Sequence, residues 1–281
     1  MKRIFIIFIC LIALYLLMTS NVRNLIPFGK SETEAEVSKH IDLIDIQVSS
    51  SSTTVVVEDR KDIKAELSGK GDVSVKKSGD TIHVKYNRQW YDGFNFLNQT
   101  PKLKIYIPED YEKSMAIDVG SGYLNFRGSS IKLDELNVHV GSGKVDLRDI
   151  EAKEYTHNGS SGMIEINGLL TEKGSVKMSS GIVKIRDYQG ALDAEVSSGQ
   201  LDIQMDKIVD DINLEASSGH IKLDLPDHAD FTLKGNYSSG YIDNDFPLTD
   251  KVVEKNKVEG VSGSGKHNIT IKLSSGIAKI Y

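Results

Sequence analysis

The sequence holds one cysteine, one tryptophan and five prolines in 281 residues. A lone thiol can neither close an intramolecular disulfide nor furnish a Cys-rich zinc site. So little proline excludes a collagen or a proline-rich stalk. Positive charge is not in excess either: 34 Lys and Arg stand against 40 Asp and Glu, a formal net charge of −6. That balance argues against a nucleic-acid binder, whose phosphate contacts require a basic face. Apolar residues are not scarce, at 39% of the chain against 26% charged, which is too many for a disordered polymer. The length is enough for one large or two modest domains.

Only one apolar run is long. It is Ile4–Met18, and no charge falls between positions 4 and 22. A membrane-spanning helix needs roughly 17–25 residues, and the core of a cleavable signal about 7–15. Met18-Thr19-Ser20 offers only a weak cleavage site, so an uncleaved anchor is the preferred reading. Lys2 and Arg3 precede the run, while Arg23 and Lys30 beyond it are diluted by Glu32, Glu34 and Glu36. The positive-inside rule then puts the N-terminus in the cytoplasm and everything after about residue 30 outside the membrane. Cys10 lies inside the run, so the exported part has no cysteine.

What fills that part is a repeat. A Ser/Gly-Ser-Gly triplet ends at Gly122, Gly143, Gly162, Gly181, Gly199, Gly219, Gly240 and Gly276, at spacings of 21, 19, 19, 18, 20, 21 and 36. Two residues after the glycine stand Leu124, Val145, Ile164, Val183, Leu201, Ile221, Ile242 and Ala278. Four after stand Phe126, Leu147, Ile166, Ile185, Ile203, Leu223, Asn244 and Ile280. Polar residues alternate with them, and the same period of two precedes the triplet, which is the pattern of half-buried strands on both sides of a corner. A repeat of about 20 residues cannot bury its own apolar face, but stacked repeats can.

The predicted fold is therefore all-β: a β-solenoid of about eight rungs over residues 113–281, with an N-terminal antiparallel β cap in 31–112 and one transmembrane helix in front. The final glycine of each corner is expected to adopt positive φ, and the serine before it to point inward, where stacked hydroxyls bond along the corner. The outward position three after the glycine reads Asn125, Asp146, Glu165, Lys184, Asp202, Lys222, Asp243, Lys279, with signs alternating from Lys184 to Asp243. Residues 244–265 break the spacing and read as a flexible insertion, free to cover the C-terminal end.

The serial Ser-Ser-Gly rungs, the preceding β-rich segment and the N-terminal anchor together resemble the bacterial "putative adhesin" family of unknown function. The resemblance covers about residues 41–281. It implies an extracytoplasmic location and supplies no catalytic residues.

No catalytic set emerges from the residues themselves. Serine recurs in every rung, as a structural repeat does, and no base is placed beside it. The seven histidines are scattered; His157 falls on an inward position and is expected to be partly buried and hydrogen-bonded. Asp146 and Glu165 would lie one rung apart, near the roughly 5 Å of a retaining glycosidase pair, yet such pairs arise freely on a charged solenoid face. Asp243-Asn244-Asp245 reads as a solvated turn, not as a calcium loop. The segment holding Trp90, Tyr91, Phe94 and Phe96 escapes the repeat. Clustered aromatics either plug the open end of the stack or contact a ligand or partner. The expectation is a non-enzyme without cofactor or metal, held in the membrane by its anchor and acting in envelope adhesion, sensing or stress response. The partners expected are a cell-wall polymer or envelope protein and no nucleic acid, with oligomerisation possible through the solenoid end. The alternatives are a wall-carbohydrate-binding or -cleaving solenoid and a regulatory partner of a membrane sensor.

Overall fold

In Lys144–Gly159 (β11), Val145 and Leu147 point inward, Asp149 turns outward at the bend, and Ile150, Ala152, Tyr155 and His157 point inward again. One strand thus runs along one side of the stack, rounds a corner and continues along the next. Met163–Met178 (β12) and Ile182–Val196 (β13) do the same in register with it. The computed structural model, which describes residues 32–87, 100–128 and 131–281, extends this arrangement over one compact unit, Thr33–Tyr281. The anchor predicted at 4–22 lies outside the described residues.

The result is a single continuous sheet bent into two stacks that meet at the triplet corner. Before the corner lie β6 (Thr81–Asn87), β2 (Leu43–Val48), β8 (Ser114–Val119) and β10 (Lys132–Val140). They are followed by the second halves of β11, β12 and β13, and then by β15 (Ile212–Ala216). After the corner lie β7 (Lys102–Pro108), β3 (Ser52–Glu58) and β9 (Tyr123–Arg127). The first halves of β11, β12 and β13 come next, then β14 (Gln200–Gln204) and β16 (His220–Asp224). All these pairings are parallel. The core is the inward set read from the alternation: Leu124, Val145, Ile164, Val183, Leu201, Ile221 and Ala278 are each no more than 1% exposed.

Two features of the N-terminal region differ from the expected antiparallel cap. β2 and β3 form a further rung around Ser49-Ser50-Ser51, whose backbone stacks on Gly120-Ser121-Gly122. β6 and β7 form another rung in front of that one. In this region antiparallel pairing is confined to the strands that cover this rung: β5 (Asp72–Ser78) on β6, β4 (Asp62–Ser68) on β7, and β1 (Glu34–Glu36) on β4. The β2–β3 rung turns on three serines, without the corner glycine that marks those from Gly122 onward in the sequence.

The C-terminal end departs from chain order. β20 (His267–Ile280) pairs with β15 and β16 on one side and with β17 (Phe231–Asn244) on the other. The last rung in sequence is therefore the penultimate rung in space, and Lys222 faces Lys279, not Asp243 as the alternation had implied. The intervening residues are an ordered hairpin, β18 (Thr249–Glu254) and β19 (Lys257–Ser262), not a flexible insertion. β19 pairs antiparallel with the first half of β17 and so covers one side of that end. Phe246 folds back edge-on to Phe231, with ring centroids 5.3 Å apart, and closes the core there.

Candidate functional site

At the triplet corner every rung hands its backbone hydrogen bonds to the next. Ser142 N–H donates to Gly120 O at 2.8 Å, Ser161 to Gly141 at 2.9 Å, Ser180 to Ser160 at 2.8 Å and Ser198 to Ser179 at 2.7 Å. The side chains lie opposite to expectation: the serines are exposed, while Gly143, Gly162, Gly181, Gly199, Gly219 and Gly276 are buried; Gly122 is half-buried and Gly240 exposed. Nor is positive φ the reason for glycine, since in the regular rungs Gly143, Gly162, Gly181, Gly199 and Gly219 do not adopt it. A methyl group at Gly181 would collide with the carbonyl oxygen of Gly162 and lie 2.7 Å from the Met178 sulfur. Glycine is required because the chain turns inward here against the carbonyl of the rung below. Gly240, with φ 121, is the exception, and it sits on the outermost rung.

The exposed hydroxyls of Ser121, Ser142, Ser161 and Ser180 border an open groove of about 810 Å³, lined also by Tyr123, Lys144, Met163 and the buried Ser51, whose hydroxyl is bonded to Thr53. Five rungs at about 4.8 Å make it roughly 20 Å long. Among the described residues Ser121, Ser142, Ser161 and Ser180 make no side-chain hydrogen bond, so their hydroxyls remain available. Thr100 and Pro101 close the N-terminal end. The segment with Trp90, Tyr91, Phe94 and Phe96 follows Asn87 in the chain. The aromatic residues themselves lie outside the described residues.

Beside the groove runs a face of paired charge. Asp146 and Glu165 are register neighbours, as the spacing implied. Asp146 is 5% exposed and receives two hydrogen bonds of 2.8 Å from Arg148. Those bonds hold its carboxyl below the usual range, against the opposing effect of burial. Glu165 accepts from Lys144 at 2.6 Å and from Lys184 at 3.4 Å and is likewise held low, chiefly by Lys144. A retaining glycosidase requires one carboxyl kept protonated near neutral pH; both of these are set to stay ionised. Arg186 forms a separate pair with Asp202 at 3.0 Å.

The stack has a second corner. Arg127-Gly128, Arg148-Asp149, Asn167-Gly168 and Arg186-Asp187 recur at the step of the triplets. Asp149, Gly168 and Asp187 all have positive φ, at 55, 74 and 51. Here the left-handed turn is real, and Asp is among the few residues that tolerate it. Burial and the hydrogen-bonded carboxylate of Asp206 push Asp187 up.

His157 is fully buried between Val138 and Val176 of the adjacent rungs, and neither ring nitrogen has a partner among the described residues. Sequence placed it inward correctly but expected a hydrogen bond. Burial, with a smaller contribution from His139, pushes its pKa down to about 4. Asp245 pairs with Lys279 at 3.6 Å. Among the described residues no three His, Cys, Asp or Glu side chains converge as a metal site would require.

A family model described as Toastrack DUF4097 matches residues 41–280. The chain belongs to the Toastrack family. Solved structures similar to this Toastrack chain include a "putative cell adhesion protein" from Clostridium sporogenes ATCC 15579, at 15% identity and TM-score 0.30, covering 90% of this chain and 99% of that one. A "putative lipid binding protein" from Parabacteroides distasonis ATCC 8503 is 18% identical with TM-score 0.47, covering 90% and 98%. A "putative adhesin" from Bacteroides fragilis NCTC 9343 is 14% identical with TM-score 0.39, covering 88% and 95%. No curated protein matches the chain.

Proposed function

We propose that this Toastrack chain is a non-catalytic, membrane-anchored solenoid that works by contact at the outer face of the cell membrane, in envelope adhesion, sensing or stress response. The observation that carries the reading is the corner groove. It offers a row of free hydroxyls and backbone edges, while the carboxylates beside it are neutralised by Arg148, Lys144 and Lys184. Such a surface can hold an extended polymer and has no poised acid or base. The apolar run 4–22, with Lys2 and Arg3 before it, supports the anchor. The arrangement of anchor, β-rich segment and serial rungs extends the resemblance to LiaG, a membrane-anchored protein of the Lia cell-envelope stress-response system, and the stress role is proposed on that ground. Protease added to intact, wall-stripped cells should digest the chain beyond residue 30; complete protection would contradict the topology.

The hydroxyl-lined groove also favours a second reading, a module that binds wall carbohydrate. Regulation of a membrane sensor is distinguished from both by crosslinking in cells during envelope stress, which would capture a membrane protein in place of a glycan.

A further inference from the structure

The first residue after each triplet faces outward, where a strand on a solvated face ordinarily carries a polar side chain. Along the corner groove that position is held by Tyr123, Lys144, Met163 and Ile182, register neighbours on four successive rungs. Each of them is half-buried. The Lys144 ammonium is drawn away to Glu165 at 2.6 Å, so what it leaves beside the groove is its methylene stem. The row is therefore apolar throughout. On the next two rungs the same position turns polar, with Gln200 and His220, and the groove itself reaches no further than Ile182.

Two strips of different chemistry thus run side by side: the hydroxyls of Ser121, Ser142, Ser161 and Ser180, and the apolar row. Charge is nearly absent. Among the residues that line the groove only Lys144 is charged, and its ammonium is engaged. A phosphate or carboxylate brought in would find no free cation and would give up its hydration without replacement. A peptide strand would find no ladder to extend, since the amides of Lys144, Met163 and Ile182 already donate to Gly122, Gly143 and Gly162 at 2.9, 3.0 and 3.1 Å. A sugar suits both strips. Its C–H face can rest on the apolar side chains, and its hydroxyl edge can bond to the serines, each of which both donates and accepts. The rungs repeat about every 4.8 Å, close to the rise per residue of an extended β-linked glycan, so consecutive sugars would meet consecutive rungs.

We infer that the ligand of the groove is an uncharged, extended polysaccharide, seated with its ring faces on Tyr123, Met163 and Ile182 and its hydroxyls on the serine row. The inference rests on the carbohydrate-binding reading above and narrows it, because it excludes the anionic polymers of a wall.

The test passes the full chain, in mild detergent, over beads carrying one polymer each: hydroxyethylcellulose or glycol chitin, which are neutral, and carboxymethylcellulose or poly(glycerol phosphate), which are anionic. The chain should be retained on the neutral polymers, equally at low and high salt because no ion pair is there to be screened, and not on the anionic ones. Tyr123→Ala and Met163→Ala should each weaken retention about fivefold or more. Ser142→Ala combined with Ser161→Ala should weaken it as well. Those two serines are exposed, so circular dichroism of that variant should remain that of the wild type, and the test stands even if Tyr123→Ala fails to fold. Retention on the anionic polymers in preference to the neutral ones overturns the inference and leaves a groove that binds wall polymers of the other class. Neutral retention that survives every one of these variants overturns it too, since the polymer is then held elsewhere. Retention on none of the four overturns the carbohydrate-binding reading together with the inference.

Discussion

In the folded chain His157 gives up its proton at about pH 4, whereas an unperturbed imidazole does so near 6.5. Between those values the unfolded chain binds a proton that the folded chain does not, so stability falls as pH drops through this window and is complete above it. The loss by pH 4 is on the order of 3 kcal/mol. His157→Val, which extends the Val138–Val176 ladder, should remove that slope; urea titrations of both chains from pH 7 to pH 4 check this, and equal slopes would contradict it. Glycine and serine of the corner should behave oppositely. Gly181→Ala drives a methyl into the Gly162 carbonyl and should cost about 1–3 kcal/mol, while Ser180→Ala should stay within about 0.5 kcal/mol, as thermal melts would resolve. The triplet is conspicuous in the sequence, but the atoms that carry its chemistry are not. Spacing cannot distinguish a glycine kept for φ from one kept for close approach, and it does not say which of two small residues turns inward. Asp187 is a further case, holding φ 51 beside Asp206. Asp187→Gly relieves both the backbone and the repulsion and should stabilise, by up to about 1 kcal/mol from the backbone alone, measurable as a rise in Tm.

At the scale of the strand, the alternation fixed which residues form the core but not the order in which rungs stack. Each rung was legible because Leu, Val and Ile recur at inward positions two and four after the corner. The outermost rung is marked in the sequence too: it carries Gly235 and Asn244 where most of the others carry Val, Leu or Ile, and Ile242 is 9% exposed against 0% for Ala278. A rung with a weak apolar face gains least from burial on both sides, so the richer C-terminal strand, with Ile269, Ile271 and Ile280, takes the inner place. This yields an expectation contrary to the usual fraying of chain ends. In native-state hydrogen exchange, amides of β20 near Ile271 should be protected like those of β15, and those of Tyr241–Asn244 on the outer edge should exchange faster. The reverse order would contradict the swapped stacking. The β2–β3 and β6–β7 rungs were harder to recognise, because local alternation is the same for parallel and antiparallel strands, and parallel pairing reaches across tens of residues.

For the whole molecule, the continuous backbone ladder and the charge pairs on its outer face describe a rigid surface, and the groove along the corner is where that surface is concave and unengaged. Its length matches several units of an extended polymer, its hydroxyls are free, and its neighbouring carboxylates are tied to cations. Contact without chemistry is the use proposed for such a surface. The groove was invisible in sequence as a site, because its lining is the repeat itself. The anchor and the aromatic segment around Trp90 were the conspicuous sequence features, and both fall outside the described residues. The central claim is tested most directly by incubating the purified full chain with isolated cell-wall glycan and measuring both retention and release of soluble sugar. The account predicts that no sugar is released by the chain or by Ser161→Trp, which fills the groove; retention that Ser161→Trp abolishes would favour the wall-carbohydrate reading. Release of sugar that is lost in Asp146→Asn or Glu165→Gln would contradict it.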